Sequence, residues 1–132
     1  MTFLDTSVIL ALLDGDERHH AACAETWRAL VAEDERLFTT NYVLVESFAL
    51  VQRRLGLDAL HVLCSDFLPL LEITWLDQAT HKAAVGAVLT AARRKLSLVD
   101  CASFEVMRRQ GIARAFTLDR HFEEQGFVCV PA

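Results

Sequence analysis

Proline and glycine are scarce: two prolines, at 69 and 131, and five glycines are spread over 132 residues. They mark no linker, low-complexity tract or internal repeat, and the length suits a single domain spanning 1–132. Cysteine is sparse as well. Cys23, Cys64, Cys101 and Cys129 form no CxxC pair, which excludes a disulfide-rich secreted scaffold and leaves four reduced thiols as the expectation. The five histidines offer no zinc spacing. No stretch reaches the roughly 18 apolar residues of a membrane span. The first residues have no basic segment, and Asp5 precedes a short apolar run, so they do not read as a signal peptide. A soluble, cytoplasmic protein is expected. There is no GxxxxGK[ST] phosphate loop, which removes the usual nucleoside-triphosphatase design. The net charge of −5 argues against a broad nonspecific nucleic-acid surface, yet thirteen Lys and Arg remain, many clustered.

What is present is apolar: 53% hydrophobic residues against 23% charged. A chain of this mass should fold to roughly 7,000 Å² of surface and bury about two-thirds of what it exposes unfolded, enough for a core without staples. Short apolar runs alternate with longer helical patterns. Thr2-Phe-Leu, Leu37-Phe-Thr, Glu72-Ile-Thr-Trp-Leu, Ala115-Phe-Thr and Phe127-Val-Cys-Val read as strands. Between them lie helices over Thr6–Leu13, about Glu17–Glu33 capped by Asp16, Tyr42 to about Leu55 capped by Asn41, and Asp58 to about Leu68 stopped near Pro69. Two more follow: Asp77 caps one running to about Arg94, and Ser97 caps one over Leu98–Gln110. Strands separated by helices need crossovers, which predicts a three-layer α/β fold with a central parallel sheet of about five strands. In such sheets ligands bind at the carboxyl ends of the strands.

Four carboxylates occupy unusual positions. Asp5 follows the first strand and is the only charge between Met1 and Leu13. Glu46 emerges from the apolar helix Val43-Leu-Val-Glu-Ser-Phe-Ala-Leu-Val, with Tyr42, Val43, Ala49 and Leu50 at three and four residues' distance. Asp100 stands in the first turn of the helix that Ser97 opens, where the dipole favours an acid. Asp119 follows the fourth strand. Each has a structural alternative: a cap or turn for the aspartates, a buried ion pair for Glu46. Together they predict convergence at one sheet edge. Carboxylates about 4 Å apart repel by roughly 1 kcal/mol per pair in water and about 4 at an effective dielectric near 20. Convergence therefore calls for divalent cations or raised pKa values, and an all-oxygen set suits Mg²⁺ or Mn²⁺.

The segments Leu4-Asp-Thr-Ser, Thr40-Asn-Tyr-Val-Leu-Val-Glu-Ser, Ser97-Leu-Val-Asp-Cys-Ala-Ser-Phe and Thr117-Leu-Asp-Arg-His-Phe, in this order, resemble the PIN-domain ribonucleases. Within that family they are most similar to the small VapC-type toxins of toxin–antitoxin pairs. The resemblance runs from Asp5 to Phe122. It implies a Rossmann-like PIN fold, a catalytic quartet of Asp5, Glu46, Asp100 and Asp119, and metal-dependent endonuclease activity on RNA that leaves a 5′-phosphate and a 3′-hydroxyl. It also implies a homodimer and an antitoxin protein that covers the site.

On this reading Asp5 and Asp100 hold the metal. Asp119 completes the site or binds a second ion, and Glu46 acts through water. The hydroxyls of Thr6 and Thr117 are expected to bond the carboxylates. Cations are needed for RNA, and Arg120, beside Asp119, is the first candidate for phosphate contact. Arg114 lies near it in sequence, and Arg53-Arg54, Arg93-Arg94-Lys95 and Arg108-Arg109 are expected to close helices. The apolar helices Tyr42–Leu55 and Leu57–Leu71 suit a dimer or antitoxin interface. Other readings fit less well. An aspartyl-phosphate phosphotransferase needs a second acid where Ser7 stands, and a receiver domain needs an acidic pair. An RNA-processing nuclease without an antitoxin and a noncatalytic binding module remain as alternatives.

Overall fold

The computed structural model describes residues 1–132. Its elements run β1 (Thr2–Leu4), α1 (Thr6–Leu13), α2 (His20–Ala32), β2 (Leu37–Thr40), α3 (Asn41–Arg54) and α4 (Leu57–Val62). A π-helical turn (Leu63–Phe67) and a 3₁₀ turn (Leu68–Leu70) lead to β3 (Leu71–Thr74). Then come α5 (Gln78–Ala91), α6 (Leu98–Gln110), β4 (Arg114–Phe116), α7 (Arg120–Glu124) and β5 (Val128–Val130). All strand pairs are parallel, in the order β3-β2-β1-β4-β5. The expected five-stranded parallel sheet is present.

Alternation along the strands builds the three layers. Phe3, Phe38 and Ala115 enter one core with Val43 of α3, Ala84 of α5, Phe104 of α6 and Phe122 of α7. Their neighbours Leu4, Leu37 and Phe116 enter a second core with Val8 and Leu12 of α1 and Cys23 and Leu30 of α2. A one-residue step reverses the face of a strand residue, so three short strands feed both cores. The folded surface is 7415 Å², close to the size scaling.

Several boundaries differ from expectation. Thr40, not Asn41, caps α3: its hydroxyl accepts a hydrogen bond from the Val43 amide at 3.1 Å. The Asn41 carbonyl oxygen instead accepts from the Leu76 amide, tying α3 to the end of β3. Asp16 caps nothing. Its amide donates to Asp14 Oδ1 in a local turn, and α2 begins only at His20. The helix from Leu57 loosens into π and 3₁₀ turns before Pro69, whose ring cannot supply the next helical N–H. Ala92 adopts a left-handed conformation and ends α5 at Ala91, so Arg93-Arg94-Lys95 lies beyond the helix. Helix α7 was not expected from the apolar period, because five residues hold one buried anchor, Phe122.

Phe122 seats α7 against Phe3, Phe104 and Phe127. Replacing it with alanine removes the anchor of the turn that carries Asp119. Phe122→Ala should cost about 3–5 kcal/mol, read as a lowered urea midpoint. A loss well under about 1 kcal/mol would show that the aromatic cluster does not hold this helix.

Candidate active site

Strand β1 lies at the centre of the sheet. After β1 the chain builds outward through β2 and β3, then crosses back to place β4 on the other side of β1. The order therefore switches between β1 and β4, where the crevice of an open parallel sheet forms. Leu4 pairs with Phe116 at the last register position. The next residues, Asp5 and Thr117, leave side by side.

Asp5 is the N-terminal flanking residue of α1 but makes no side-chain cap; its carboxylate points elsewhere. Oδ2 accepts hydrogen bonds from Ser7 Oγ at 2.8 Å and Thr117 Oγ1 at 3.0 Å. Those hydroxyls are themselves oriented. Ser7 Oγ accepts from the Leu118 amide at 2.9 Å, and Thr117 Oγ1 accepts from the Asp119 amide at 2.9 Å. With lone pairs engaged by backbone N–H groups, each hydroxyl turns its single proton to Asp5. Burial is the largest influence on Asp5 and pushes its pKa up from 3.8 to about 6. The two hydroxyls pull it down, and the charges of Asp100 and Asp119 push it up again.

Asp100 is the third residue of α6 and forms a capping box with Ser97. Its amide donates to Ser97 Oγ at 3.1 Å, and the Ser97 amide donates to Asp100 Oδ2 at 3.0 Å. Burial still raises its pKa, helped by the charge of Asp119. Asp119 caps α7, with Oδ1 accepting the His121 amide at 2.9 Å. Each aspartate thus anchors one oxygen: Asp5 Oδ2, Asp100 Oδ2 and Asp119 Oδ1 take hydrogen bonds, and the partner oxygens take none.

Donor atoms of Asp100, Asp119 and His121 all lie within 4.8 Å of one another, a group able to hold a metal ion. His121 Nδ1 is buried and has no hydrogen-bond partner. Carboxylate oxygens of Asp100 and Asp119 beside an orphaned ring nitrogen fit a divalent cation.

Asp5 lies outside that trio, and so does Glu46. Glu46 is half-buried in the second turn of α3, a helix that packs on both α1 and α6. It makes no hydrogen bond and no ion pair, so the buried ion pair that its apolar setting suggested is absent. The Thr6 hydroxyl is buried and unpartnered; the bond to Asp5 expected of it is made by Ser7 instead. The Asp-Thr-Ser spacing holds a signal for this, since Ser7 sits two residues past the acid, within reach of its carboxylate.

The basic residues also sort out. Arg114 opens β4 at the amino edge of the sheet and is bound to Glu35 and Thr2, away from the acids. Arg109 pairs with Glu105 and Arg93 with Glu124. Arg120, exposed and without an ion pair, lines a cleft of about 280 Å³ with Asp119, Thr117 and His19.

A family model described as PIN domain matches residues 2–128. The 23S rRNA-specific endonuclease VapC20 of Mycobacterium tuberculosis is 30% identical over 131 residues, covering 97% of this chain and 96% of the relative. The crystal structure of that protein, described as a Sarcin-Ricin loop cleaving toxin, superposes with a TM-score of 0.84 at 28% identity, covering 97% of each chain. FitAcB from Neisseria gonorrhoeae has a TM-score of 0.71 at 19% identity, covering 98% of this chain and 96% of that one. VapBC2 from Rickettsia felis, bound to a DNA fragment, has a TM-score of 0.71 at 14% identity, covering 97% and 96%.

The raised pKa of Asp5 gives a signed expectation for stability. Folded Asp5 keeps its proton up to about pH 6, whereas the unfolded chain releases it near 3.8. Its contribution is complete below the unfolded value and is lost as pH rises through the folded one. In chelator, Asp5→Asn should therefore gain on the wild type by on the order of 3 kcal/mol between about pH 4 and pH 7. Urea unfolding at successive pH values measures it. A stability difference that does not change with pH would refute the assignment to Asp5.

Proposed function

The chain belongs to the PIN-domain family, and on that premise we propose that it is a divalent-metal-dependent endoribonuclease acting as the toxin of a toxin–antitoxin pair. The observation that supports this is the closeness of Asp100 and Asp119, whose oxygens lie within 4.8 Å of each other and of His121, beside a buried Asp5 that feels both their charges. Similarity to a 23S rRNA-specific endonuclease along nearly the whole chain supports RNA, and ribosomal RNA first, as the substrate.

Asp5, Asp100 and Asp119 hold the ion, Mg²⁺ or Mn²⁺. When bound, it neutralises phosphate charge, lowers the pKa of a coordinated water and stabilises the leaving oxygen. Ser7 and Thr117 lock the Asp5 carboxylate in one orientation, so no reorganisation is needed when the phosphate arrives. Ser97 does the same for Asp100. Glu46, unpaired on the helix that bridges α1 and α6, orients the attacking water. Arg120 offers a free guanidinium to the phosphate backbone. Exposed Val45 (70%), Leu57 (62%) and Val62 (41%) on α3 and α4 support an apolar contact with a second copy or an antitoxin. No helix is long and apolar enough to cross a membrane, and a ribosomal RNA substrate would place the protein in the cytoplasm.

Incubation with ribosomes and mapping of new 5′ ends tests the reading. Asp100→Asn should lower cleavage by on the order of 10²-fold or more, as expected when a group that stabilises developing charge is removed, with the fold preserved. Retained cleavage would reject the assignment, and a folded wild type that binds RNA in Mn²⁺ without cutting it would favour a noncatalytic module. Glu46→Gln breaks no ion pair, so its stability should stay within about 0.5 kcal/mol of wild type while turnover falls. A strongly destabilised but active variant would make Glu46 structural.

A further inference from the structure

We propose that His121 supplies its Nδ1 as a nitrogen ligand to the divalent ion held by Asp100 and Asp119, making the donor set mixed rather than all-oxygen. The proposal rests on the metal reading above and adds a residue to it.

Nδ1 lies 3.1 Å from Asp119 Oδ1. It is closed to solvent yet has no hydrogen bond, so the contact is near but not aligned for an N–H···O bond. A buried polar atom left in this state is costly, and its position needs a partner. Two ligands at adjacent corners of an octahedron with bonds of about 2.1 Å stand roughly 3.0 Å apart. The observed separation matches that edge. Asp119 Oδ1 already accepts the His121 amide, but a carboxylate oxygen keeps a second lone pair for a metal. Asp100 brings a further oxygen within the same 4.8 Å. The ring is placed by its own helix: Phe122, the next residue, is fully buried in the aromatic cluster of Phe3, Phe104 and Phe127, which fixes the first turn of α7.

The chemical consequence concerns metal choice. Imidazole nitrogen favours first-row transition ions over Mg²⁺, which prefers hard oxygen donors. Removing His121 should weaken Mn²⁺ binding by about tenfold or more and Mg²⁺ binding less.

The test is pulsed electron paramagnetic resonance on the Mn²⁺-loaded full chain, with natural-abundance and ¹⁵N-histidine protein compared. The wild type should show nitrogen modulation from a bound ligand that changes with the label, with no variant required. The modulation should vanish in both His121→Ala and His121→Gln, with circular dichroism confirming the fold. Mn²⁺ bound at a site that Asp100→Asn destroys, but without nitrogen modulation, overturns the assignment of His121 and leaves the metal reading standing. Modulation that persists in both His121 variants overturns it too. No Mn²⁺ binding, or binding indifferent to Asp100→Asn, overturns the metal reading together with it.

Discussion

The carboxylate of Asp5 is the buried charge around which the carboxyl edge of the sheet is arranged. It sits almost out of water at the end of the central strand, 4% exposed. An isolated carboxylate there would be prohibitive. The chain answers with two hydroxyls from different places, Ser7 in the following helix and Thr117 at the end of the neighbouring strand. Each hydroxyl is turned toward Asp5 because a backbone amide of the β4–α7 connection occupies its lone pair. One acid therefore joins the start of α1, the end of β4 and the turn that leads to Asp119. The solvation is partial: burial still outweighs both hydroxyls and keeps the pKa near 6. An arrangement that stabilises this charge incompletely is one that gains from a cation.

The same economy governs the other two aspartates. Asp100 would be explained fully as a capping-box residue, and Asp119 as an N-cap, if only their hydrogen-bonded oxygens were counted. The remaining oxygens decide otherwise, because they take no hydrogen bond from the protein and stay open to another partner. Capping and ligation are compatible: a carboxylate has two oxygens, and fixing one fixes the direction of the other. Short helices suit this use. Helix α7 has five residues, few enough that its rigidity must come from Phe122 rather than from its own hydrogen bonds.

The alternation of strands and helices was legible because strand-forming runs such as Leu37-Phe-Thr are short, apolar and isolated from one another. Asp5 and Glu46 stood out in the sequence because they interrupt apolar surroundings. What stayed hidden was the choice among neighbouring polar groups. Thr40 and Asn41 are both good caps, and tertiary structure assigned Asn41 to the Leu76 amide. Thr6 and Ser7 both follow Asp5, and the turn into α1 sends the Thr6 hydroxyl into the core and the Ser7 hydroxyl to the carboxylate. Arg114 looks close to Arg120 in sequence, but β4 lies between them and puts Arg114 at the opposite end of the sheet. His121 gave no metal spacing with another histidine, since its companions are carboxylates, Asp100 of α6 and Asp119 at the cap of its own helix.

Charge placement bears on how RNA would be recognised. Of thirteen Lys and Arg, four are joined to Glu side chains: Arg36, Arg93, Arg109 and Arg114. Arg108 is taken up by Gln125 and the face of Phe127. With a net charge of −5 and an acidic cluster at its centre, the surface has little general attraction for a polyanion. Arg120, exposed and without an ion pair beside Asp119, offers a local foothold rather than a field. Such a protein holds RNA poorly wherever the acids cannot engage a phosphate through a cation. At the proposed site, discrimination would come from the shape that presents a phosphate to Asp5, Asp100 and Asp119. A folded RNA loop that thrusts one phosphate outward meets that requirement better than a flexible strand, whose ordering would cost entropy that so few contacts do not return.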